Sequence, residues 1–422
     1  MQALRPSPSE ARDGSWHAGC YPSGLLGATP IDRRNAQLAQ SPIRLVECTK
    51  AFWLGGTESQ VVELLRGLSP RYQVRVAVLN EVGQLIEDVW RLGYLPEAFP
   101  LDGSYLALNT FKQVARMAAW LRRTRTEIVH VHDFYGTLLA VPAARLAGAK
   151  VIVGRLDLMH WHGPSRAAVL GVLTRAADRV IVNAEAVRQV CLAQGVPAGR
   201  IALIRNGIDL ARFDARMAAP LDAPVPDVGG LPLAVHVANM SHEVKRQEDF
   251  LRALALARRE VGPVHAYLVG DGGRRAQLES LARELGLSGL AHFLGFRLDT
   301  PAILARATLG VLPSMMEGLS NAVIEGMAAR LPMVVTRVGG NPELVSHGER
   351  GLVIEPGRPA GLAAAIVQLL TDRGAARRMG EAGRAFVERE LTVQSLIANH
   401  DRLYREVARP HETAAAREPT IG

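Results

Sequence analysis

Cysteines, aromatic residues and long apolar runs are all scarce in this sequence of 422 residues. The three cysteines, Cys20, Cys48 and Cys191, are far apart and form no C-x-x-C pair, so neither a disulfide framework nor a zinc knuckle is indicated. Aromatic residues make up only 5% of the chain, which argues against a stacking surface for nucleic acid. No window reaches the roughly 18 consecutive apolar residues that a membrane-spanning helix needs. We therefore expect a cytoplasmic protein that is not integral to a membrane.

The chain is basic but otherwise ordinary in composition. With 48% hydrophobic and 21% charged residues, it suits two or three globular domains, each with its own core. The formal net charge of +8 favours an anionic partner, such as a nucleotide diphosphate or an acidic lipid surface.

The two ends of the sequence differ from the rest. Residues 1–40 mix Pro, Ser, Gly, Arg and Asp and lack the apolar stretch of a signal peptide. Residues 409–422 are mostly small or polar. We expect a disordered extension at each end.

Short β-branched runs alternate with helical patterns over residues 41–212. This rhythm predicts a doubly wound parallel sheet, in which ligands lie beyond the carboxyl ends of the strands. The predicted strands are 43–48, 74–79, 128–131, 151–153, 180–182 and 201–204.

A second series of alternating strand and helix patterns begins after residues 213–232. This segment is rich in Pro, Asp and Gly, and we interpret it as a linker. The second series occupies residues 233–391, and residues 392–408 are predicted to form a last helix, capped by Thr392, that packs back towards the first domain. The sequence therefore predicts an α/β protein with two Rossmann-like, doubly wound domains facing a cleft. The predicted strands of the second domain are 233–237, 265–269, 309–312, 333–335 and 352–354.

A glycine pair, Gly55 and Gly56, directly follows the first predicted strand and precedes an amphipathic helix. Glycines allow a ligand to approach the backbone, and a helix N-terminus offers free N–H groups to an anion such as phosphate. Thr57 and Gln60 have the spacing of a capping box. The alternative is a tight strand-to-helix turn without a ligand.

Two histidines, His130 and His132, end another predicted strand of the first domain. At the rim of the cleft, His132 can donate a hydrogen bond to a sugar hydroxyl or to developing charge. A purely structural histidine is the plain alternative. A second alternative is a metal site completed by His160 and His162, although no acidic ligand cluster accompanies them.

Two turns of the second domain offer weaker signals. Asn239 follows the first strand, and Lys245 stands where a short helix begins, so that an ammonium and backbone amides can meet a diphosphate. Gly295 and Phe296 follow a later apolar run, where close backbone approach can admit a nucleotide base. A solvated helix start explains the lysine equally well.

An acidic pair, Glu317 and Glu325, gives the most specific signal. Eight positions separate the two carboxylates, so one lies on a loop and the other about one turn into the helix that follows. Such a pair suits the vicinal hydroxyls of sugars, while the amides at the helix start form a nest for phosphate. The nest residues are Gly318, Leu319, Ser320 and Asn321.

Together these segments resemble the family 4 retaining glycosyltransferases, enzymes with two Rossmann-like domains (the GT-B fold). The resemblance extends from Pro42 to Val407 and keeps the order of the family's motifs. Besides the E-x7-E segment, it rests on Gly55-Gly56, His132, Lys245 and the segments 177–183, 204–209 and 338–344.

The resemblance implies a role for each residue: Lys245 binds the donor diphosphate, Glu325 the ribose, Glu317 the transferred sugar, and His132 the sugar near the reacting carbon. It also implies a UDP- or GDP-sugar donor, an acceptor bound by the first domain, and retention of the anomeric configuration. The acceptor is expected to be a glycan or a lipid-linked glycan of cell-envelope or exopolysaccharide biosynthesis. No metal or other cofactor is expected, in agreement with the lack of a D-x-D motif. Asn239 departs from the family, since many relatives have an arginine there; Arg246 and His242 are nearby substitutes.

Three other functions fit parts of this pattern. An epimerase acting on nucleotide-sugars would use the same cleft but needs acid and base groups around the sugar ring. A non-catalytic module for binding nucleotide-sugars would explain Asn239, and a metal hydrolase would use the histidines. The E-x7-E segment together with Lys245 and His132 favours sugar transfer.

Residues 110–126 combine apolar residues with Lys112 and four arginines in an amphipathic pattern. This pattern is typical either of a helix on an anionic membrane surface or of a helix packed on the sheet with a solvated basic face. Peripheral contact with the inner face of the plasma membrane is therefore one expectation.

Overall fold

The computed structural model describes residues 41–101, 108–158 and 163–408. The expectation of disorder at residues 1–40 and 409–422 falls outside these ranges, and so do His160 and His162.

The first sheet has seven strands, and every pair of neighbours is parallel. In spatial order they run β3-β2-β1-β4-β5-β6-β7. The strands are β1 (Ile43–Thr49), β2 (Tyr72–Val78), β3 (Glu97–Ala98), β4 (Ile128–Val131), β5 (Lys150–Arg155), β6 (Arg179–Val182) and β7 (Ile201–Leu203). The helices are α1 (Gly56–Gly67), α2 (Ile86–Arg91), α3 (Leu108–Arg123), α4 (Phe134–Ala147), α5 (Pro164–Arg175), α6 (Glu185–Ala193) and α7 (Leu210–Met217).

The second sheet repeats the same winding with six parallel strands, in the spatial order β10-β9-β8-β11-β12-β13. Its strands are β8 (Leu233–Val237), β9 (His265–Val269), β10 (Ala291–Gly295), β11 (Leu309–Leu312), β12 (Met333–Thr336) and β13 (Gly351–Ile354). Its helices are α8 (Gln247–Val261), α9 (Arg275–Glu284), α10 (Thr300–Leu304), α11 (Asn321–Ala328), α12 (Asn341–Leu344), α13 (Pro359–Thr371) and α14 (Arg373–Glu390). Two Rossmann-like sheets confirm the predicted fold class.

Residues 218–232, all of them described, form neither helix nor strand between the two sheets. Helix α15 (Val393–Ala408) begins after Thr392, whose hydroxyl accepts a hydrogen bond from the amide of Ser395 at 3.2 Å. The helix packs on the first sheet. Its residues Leu396, Leu403, Tyr404 and Val407 share one apolar cluster with Leu45, Ile128, Ile152 and Ile181 of strands β1, β4, β5 and β6.

Helix α3 matches the basic amphipathic segment. Its apolar residues Met117, Ala118, Trp120 and Leu121 are buried in the core of the first domain, while Lys112 and the arginines are exposed. The face that would enter a membrane is thus already covered, apart from the exposed Leu108 and Phe111. Within the described ranges, no helix has both the length and the apolar composition that crossing a bilayer requires.

Replacing Leu403 by alanine tests the docking of α15. Since Leu403 is only 4% exposed, we expect a loss of about 2–5 kcal/mol in the free energy of unfolding, measured by urea denaturation. Arg402→Ala, on the exposed side of the same helix, should change it by no more than about 0.5 kcal/mol. Equal effects of the two substitutions would contradict this packing.

Candidate active site

The winding of each sheet determines where a ligand can bind. In both sheets the chain crosses from one side of the first strand to the other, between β1 and β4 and between β8 and β11. A crevice opens at such a switch point, outside the carboxyl ends of the strands. His132 follows β4, and Glu317 lies on the loop after β11. His132 and Glu317 therefore lie at the switch points of their sheets.

Glu317 is held by two hydrogen bonds that converge on its Oε1 atom. Ser314 Oγ donates at 2.6 Å and Lys245 Nζ at 2.7 Å. Lys245 reaches this position from a short 3-10 helix, Glu243–Lys245, after β8. The paired side chains are 22% and 8% exposed, so the ion pair is largely shielded from water. Within the described ranges, Oε2 of Glu317 has no protein donor and can accept from a sugar hydroxyl.

Both domains line a cavity of about 140 Å³ beside this ion pair. This is less than the roughly 300–1,000 Å³ of typical small-molecule sites. The lining consists of Gly56, Thr57, Leu156, Asp157, Leu158, Asn183, Asn206, Lys245, Met316, Glu317, Gly318 and Leu319.

Asparagine side chains join the two domains at the start of α11. Asn321 Nδ2 donates to the carbonyl of Gly56 at 3.0 Å, and Asn206 Nδ2 donates to Asn321 Oδ1 at 2.7 Å. Asn206 also donates to the carbonyl of Leu319 at 3.2 Å. The glycine loop and the predicted phosphate nest are therefore adjacent.

The capping box predicted for Thr57 and Gln60 is wrong. Gly55 is the N-cap of α1, and no side chain caps this helix. Gln60 instead forms two hydrogen bonds to the backbone of Gly207, one to its carbonyl at 3.0 Å and one from its amide at 2.8 Å. The amide group satisfies both backbone groups of a distant loop, which local spacing cannot reveal.

His132 lies in a buried polar cluster that includes Glu47, a residue that sequence reasoning missed. His132 Nε2 is 2.6 Å from Glu47 Oε2, and Tyr404 of α15 donates to Glu47 Oε1 at 2.7 Å. Burial would raise the pKa of Glu47, but the charge and hydrogen bonds of His130 and His132 hold it well below its ordinary value. The sequence contains one indication of this role, since Glu47 is a carboxylate in a strand whose neighbouring residues are mostly apolar.

Ligand-type atoms of Glu47, His130 and His132 lie within 4.8 Å of one another, so the histidine pair has an acidic neighbour after all. The separations of 2.6 and 3.1 Å from Glu47 Oε2 are, however, those of hydrogen bonds between the residues themselves. The partners proposed from sequence, His160 and His162, lie outside the described residues.

Comparison with known proteins agrees with this geometry. Residues 54–212 match the family model described as Glycosyltransferase Family 4, and residues 232–372 match that of Glycosyl transferases group 1. Together the two models match more than half of the chain. The chain belongs to the family 4 glycosyltransferases.

Named relatives of this glycosyltransferase include two bacterial enzymes. It is 32% identical over 177 residues to the N-acetyl-alpha-D-glucosaminyl L-malate synthase of Bacillus anthracis, a match that covers 42% of the chain and 46% of the relative. It is 29% identical over 316 residues to the glycogen synthase of Mycobacterium tuberculosis, covering 71% of the chain and 73% of the relative. The match thus spans less than half of the first relative and nearly three quarters of the second.

Among solved structures, the fold resembles that of Anabaena Alr3699/HepE in complex with UDP. The TM-score is 0.75 at 20% identity, over 86% of this chain and all of the other. At this identity the likeness establishes the GT-B fold.

Other sequence-predicted residues of the glycosyltransferase lie outside the cavity lining. Asn239 is exposed after β8, Gly295 ends β10 with φ of +68°, and Phe296 is 44% exposed. Ser320 is the N-cap of α11. Arg246, considered as a substitute for the missing arginine, is paired with Asp249 at 2.8 Å.

Glu325 lies in the second turn of α11, on the same helix as Asn321. Burial raises the pKa of Glu325 to about 7, and the charge of Arg216 opposes this only weakly. Among the residues that the structure describes, no hydrogen bond or ion pair engages this carboxylate, which suits a group that accepts hydrogen bonds from a ligand.

Gly339 supports the Glu317 loop and offers a test. With φ of +50°, a Cβ at this position would lie 1.7 Å from the carbonyl oxygen of Glu317. We expect Gly339→Ala to displace that loop and to lower the turnover of the glycosyltransferase on the order of 100-fold, because misplacing a reacting group by about 1 Å has that effect. Gly348→Ala is the matched control, since Gly348 also has positive φ but nothing within 4 Å. Comparable losses in both variants would show that backbone strain alone is responsible.

The raised pKa of the Glu325 carboxyl makes stability depend on pH. Its pKa in the folded chain is about 7, against an ordinary 4.5, so the folded state retains the proton longer than the unfolded state. The free energy of unfolding therefore falls as pH rises from about 4.5 to about 7. We expect Glu325→Gln to raise Tm relative to the wild type at pH 8 but not at pH 4.5, in thermal unfolding followed by circular dichroism. The exposed Glu349→Gln serves as a control, and a difference independent of pH would refute the assignment.

Proposed function

We propose that this glycosyltransferase is a retaining, metal-independent enzyme that transfers a sugar from a UDP- or GDP-sugar to a glycan or lipid-linked acceptor. One observation carries the proposal. The Lys245–Glu317 pair lies at 2.7 Å in a cavity that both domains line. A cation for phosphate and a carboxylate for sugar hydroxyls thus stand side by side, where the phosphate-sugar bond of a donor would lie.

Positive groups that suit the donor diphosphate surround this point. Lys245 supplies an ammonium, and the N-terminus of α11 directs backbone amides towards the same loop. These groups can offset the charge of the leaving phosphate without an ion. Glu325, one helical turn from Asn321, is the acceptor proposed for the ribose hydroxyls. The HepE complex contains UDP, which supports a uridine nucleotide as the first to test.

In the proposed transfer, the bond between the anomeric carbon and the phosphate oxygen breaks while the acceptor oxygen bonds to the same face of that carbon. The proton of the acceptor hydroxyl passes to the leaving phosphate. Glu317 holds the sugar through its hydroxyls, and His132 contacts it near the reacting carbon. Closure of the two domains excludes water, which would otherwise compete with the acceptor.

The acceptor is assigned to the first domain. The solvated basic face of α3, with Lys112, Arg116, Arg122 and Arg123 exposed, suits an acidic surface or an anionic lipid carrier. A lipid-linked acceptor at the inner face of the plasma membrane, in cell-envelope or exopolysaccharide assembly, follows from this charge.

The test is a nucleotide-release assay with UDP-, GDP- and ADP-sugars in the presence of EDTA. We expect release of one nucleoside diphosphate, reduced on the order of 100- to 1,000-fold in kcat/KM by Lys245→Ala, because a donor to the leaving phosphate is lost. Lys150→Ala, an exposed lysine of the same charge at the start of β5, should release nucleotide at the wild-type rate.

Three outcomes would refute parts of the proposal. A requirement for a divalent ion would rule out metal independence. An inverted configuration at the anomeric carbon, detected by proton NMR of the product, would rule out retention. If no nucleotide-sugar binds in calorimetry, the enzyme assignment itself fails.

A further inference from the structure

A continuous chain of hydrogen bonds connects the last helix of the protein to His132. The Tyr404 hydroxyl of α15 donates to Glu47 Oε1 at 2.7 Å, and Glu47 Oε2 lies 2.6 Å from His132 Nε2. All three side chains are buried, with exposures of 0%, 1% and 7% for Tyr404, Glu47 and His132. Water therefore competes little for these bonds.

The position of the proton on His132 follows from the chemistry of its partner. An ionised carboxylate only accepts hydrogen bonds, and the two histidines hold the pKa of Glu47 below its ordinary value although burial alone would raise it. At 2.6 Å from Glu47 Oε2, Nε2 of His132 must carry the proton between them. Nδ1 is then the ring nitrogen left over, and within the described part of the chain it bonds to no protein group.

His130 completes the cluster from the same strand. Its Nδ1 lies 2.7 Å from the Tyr404 hydroxyl oxygen and 3.1 Å from Glu47 Oε2, so this nitrogen also acts as a donor. Its Nε2 is buried without a partner. Glu47 thus accepts hydrogen bonds from Tyr404 and His132 and faces His130. Both of its carboxylate oxygens are occupied by protein donors.

We propose that Glu47 and Tyr404 are positioning residues that keep a proton on Nε2 of His132 and so reserve Nδ1 for the substrate. The inference rests on the proposed function, in which His132 contacts the transferred sugar. It adds a residue of β1 and a residue of the last helix to the determinants of transfer. Neither Glu47 nor Tyr404 touches the substrate.

Kinetics of three conservative variants test this assignment. Glu47→Gln places an amide donor against His132 and reverses its tautomer, and we expect kcat to fall on the order of 100-fold or more. Tyr404→Phe removes one support of Glu47, and we expect a fall on the order of tenfold. In both variants the donor KM should stay within about twofold, since uniform binding is not lost.

Tyr72→Phe is the matched control. The Tyr72 hydroxyl also ties α15 to the first sheet, by a 2.7 Å bond to Asp401, but it does not bond to Glu47. We expect Tyr72→Phe to retain the kcat of the wild type. If the two tyrosine variants lose activity equally, the hydroxyls serve only to dock the helix and the proposal fails.

Nitrogen-15 NMR of histidine-labelled wild type gives a second readout that does not require turnover. A signal of protonated Nε2 on His132, whether the ring is neutral or doubly protonated, supports the proposal. A neutral ring with its proton on Nδ1 overturns it. A stoichiometric metal ion in the purified protein that disappears in Glu47→Gln also overturns it, since the cluster would then be a coordination site.

The NMR result also separates this inference from the proposed function. If no nucleotide-sugar is turned over but Nε2 carries the proton, the sugar-transfer assignment fails and the hydrogen-bond chain stands. If transfer occurs and Nδ1 carries the proton, the positioning role fails and the enzyme assignment stands.

Discussion

Strands that all run parallel bring every strand-to-helix turn to the same side of the sheet, at the carboxyl ends of the strands. All neighbouring strands in both sheets are parallel, so each domain has one edge that carries its polar loops. At the two switch points of these edges lie Glu47 and His132 in the first domain and Lys245 and Glu317 in the second. The chemistry of the site therefore depends on strand order before it depends on any single side chain.

Much of the fold could be predicted because strands buried on both faces consist of β-branched runs. The predicted strands 128–131, 265–269 and 309–312 agree with the structure at both ends. Two edge strands were missed. Strand β3 has only two residues, and the segment of β10 was interpreted as a turn because His292 and Gly295 interrupt its apolar pattern. Edge strands are exposed on one side, so their sequences carry a weaker signal.

The site was only partly predictable, for a related reason. Lys245, Glu317 and the nest residues belong to short segments whose spacing indicates their chemistry, and the structure places Lys245 against Glu317. Glu47 has no such motif, since it is a single carboxylate among apolar residues of β1. Its partners His130, His132 and Tyr404 are between 83 and 357 positions away along the chain. Contacts of that kind follow from packing, which local patterns do not encode.

Contacts between the domains are equally hard to predict from local sequence patterns. Asn321 of the second domain donates to the carbonyl of Gly56 and accepts from Asn206 in the first, and Asn206 also donates to the carbonyl of Leu319. Each contact is a hydrogen bond made by an asparagine side chain. Each of these hydrogen bonds is worth about 1 kcal/mol in net terms.

The packing of α15 on the first sheet has a consequence for synthesis on the ribosome. Strand β7 ends at Leu203, whereas α15 begins at Val393, so translation at roughly 5–20 residues per second separates them by about ten to forty seconds. During that interval Leu45, Ile128, Ile152 and Ile181 lack the helix that buries them. The nascent first domain therefore presents an apolar face to water until the last helix has been made.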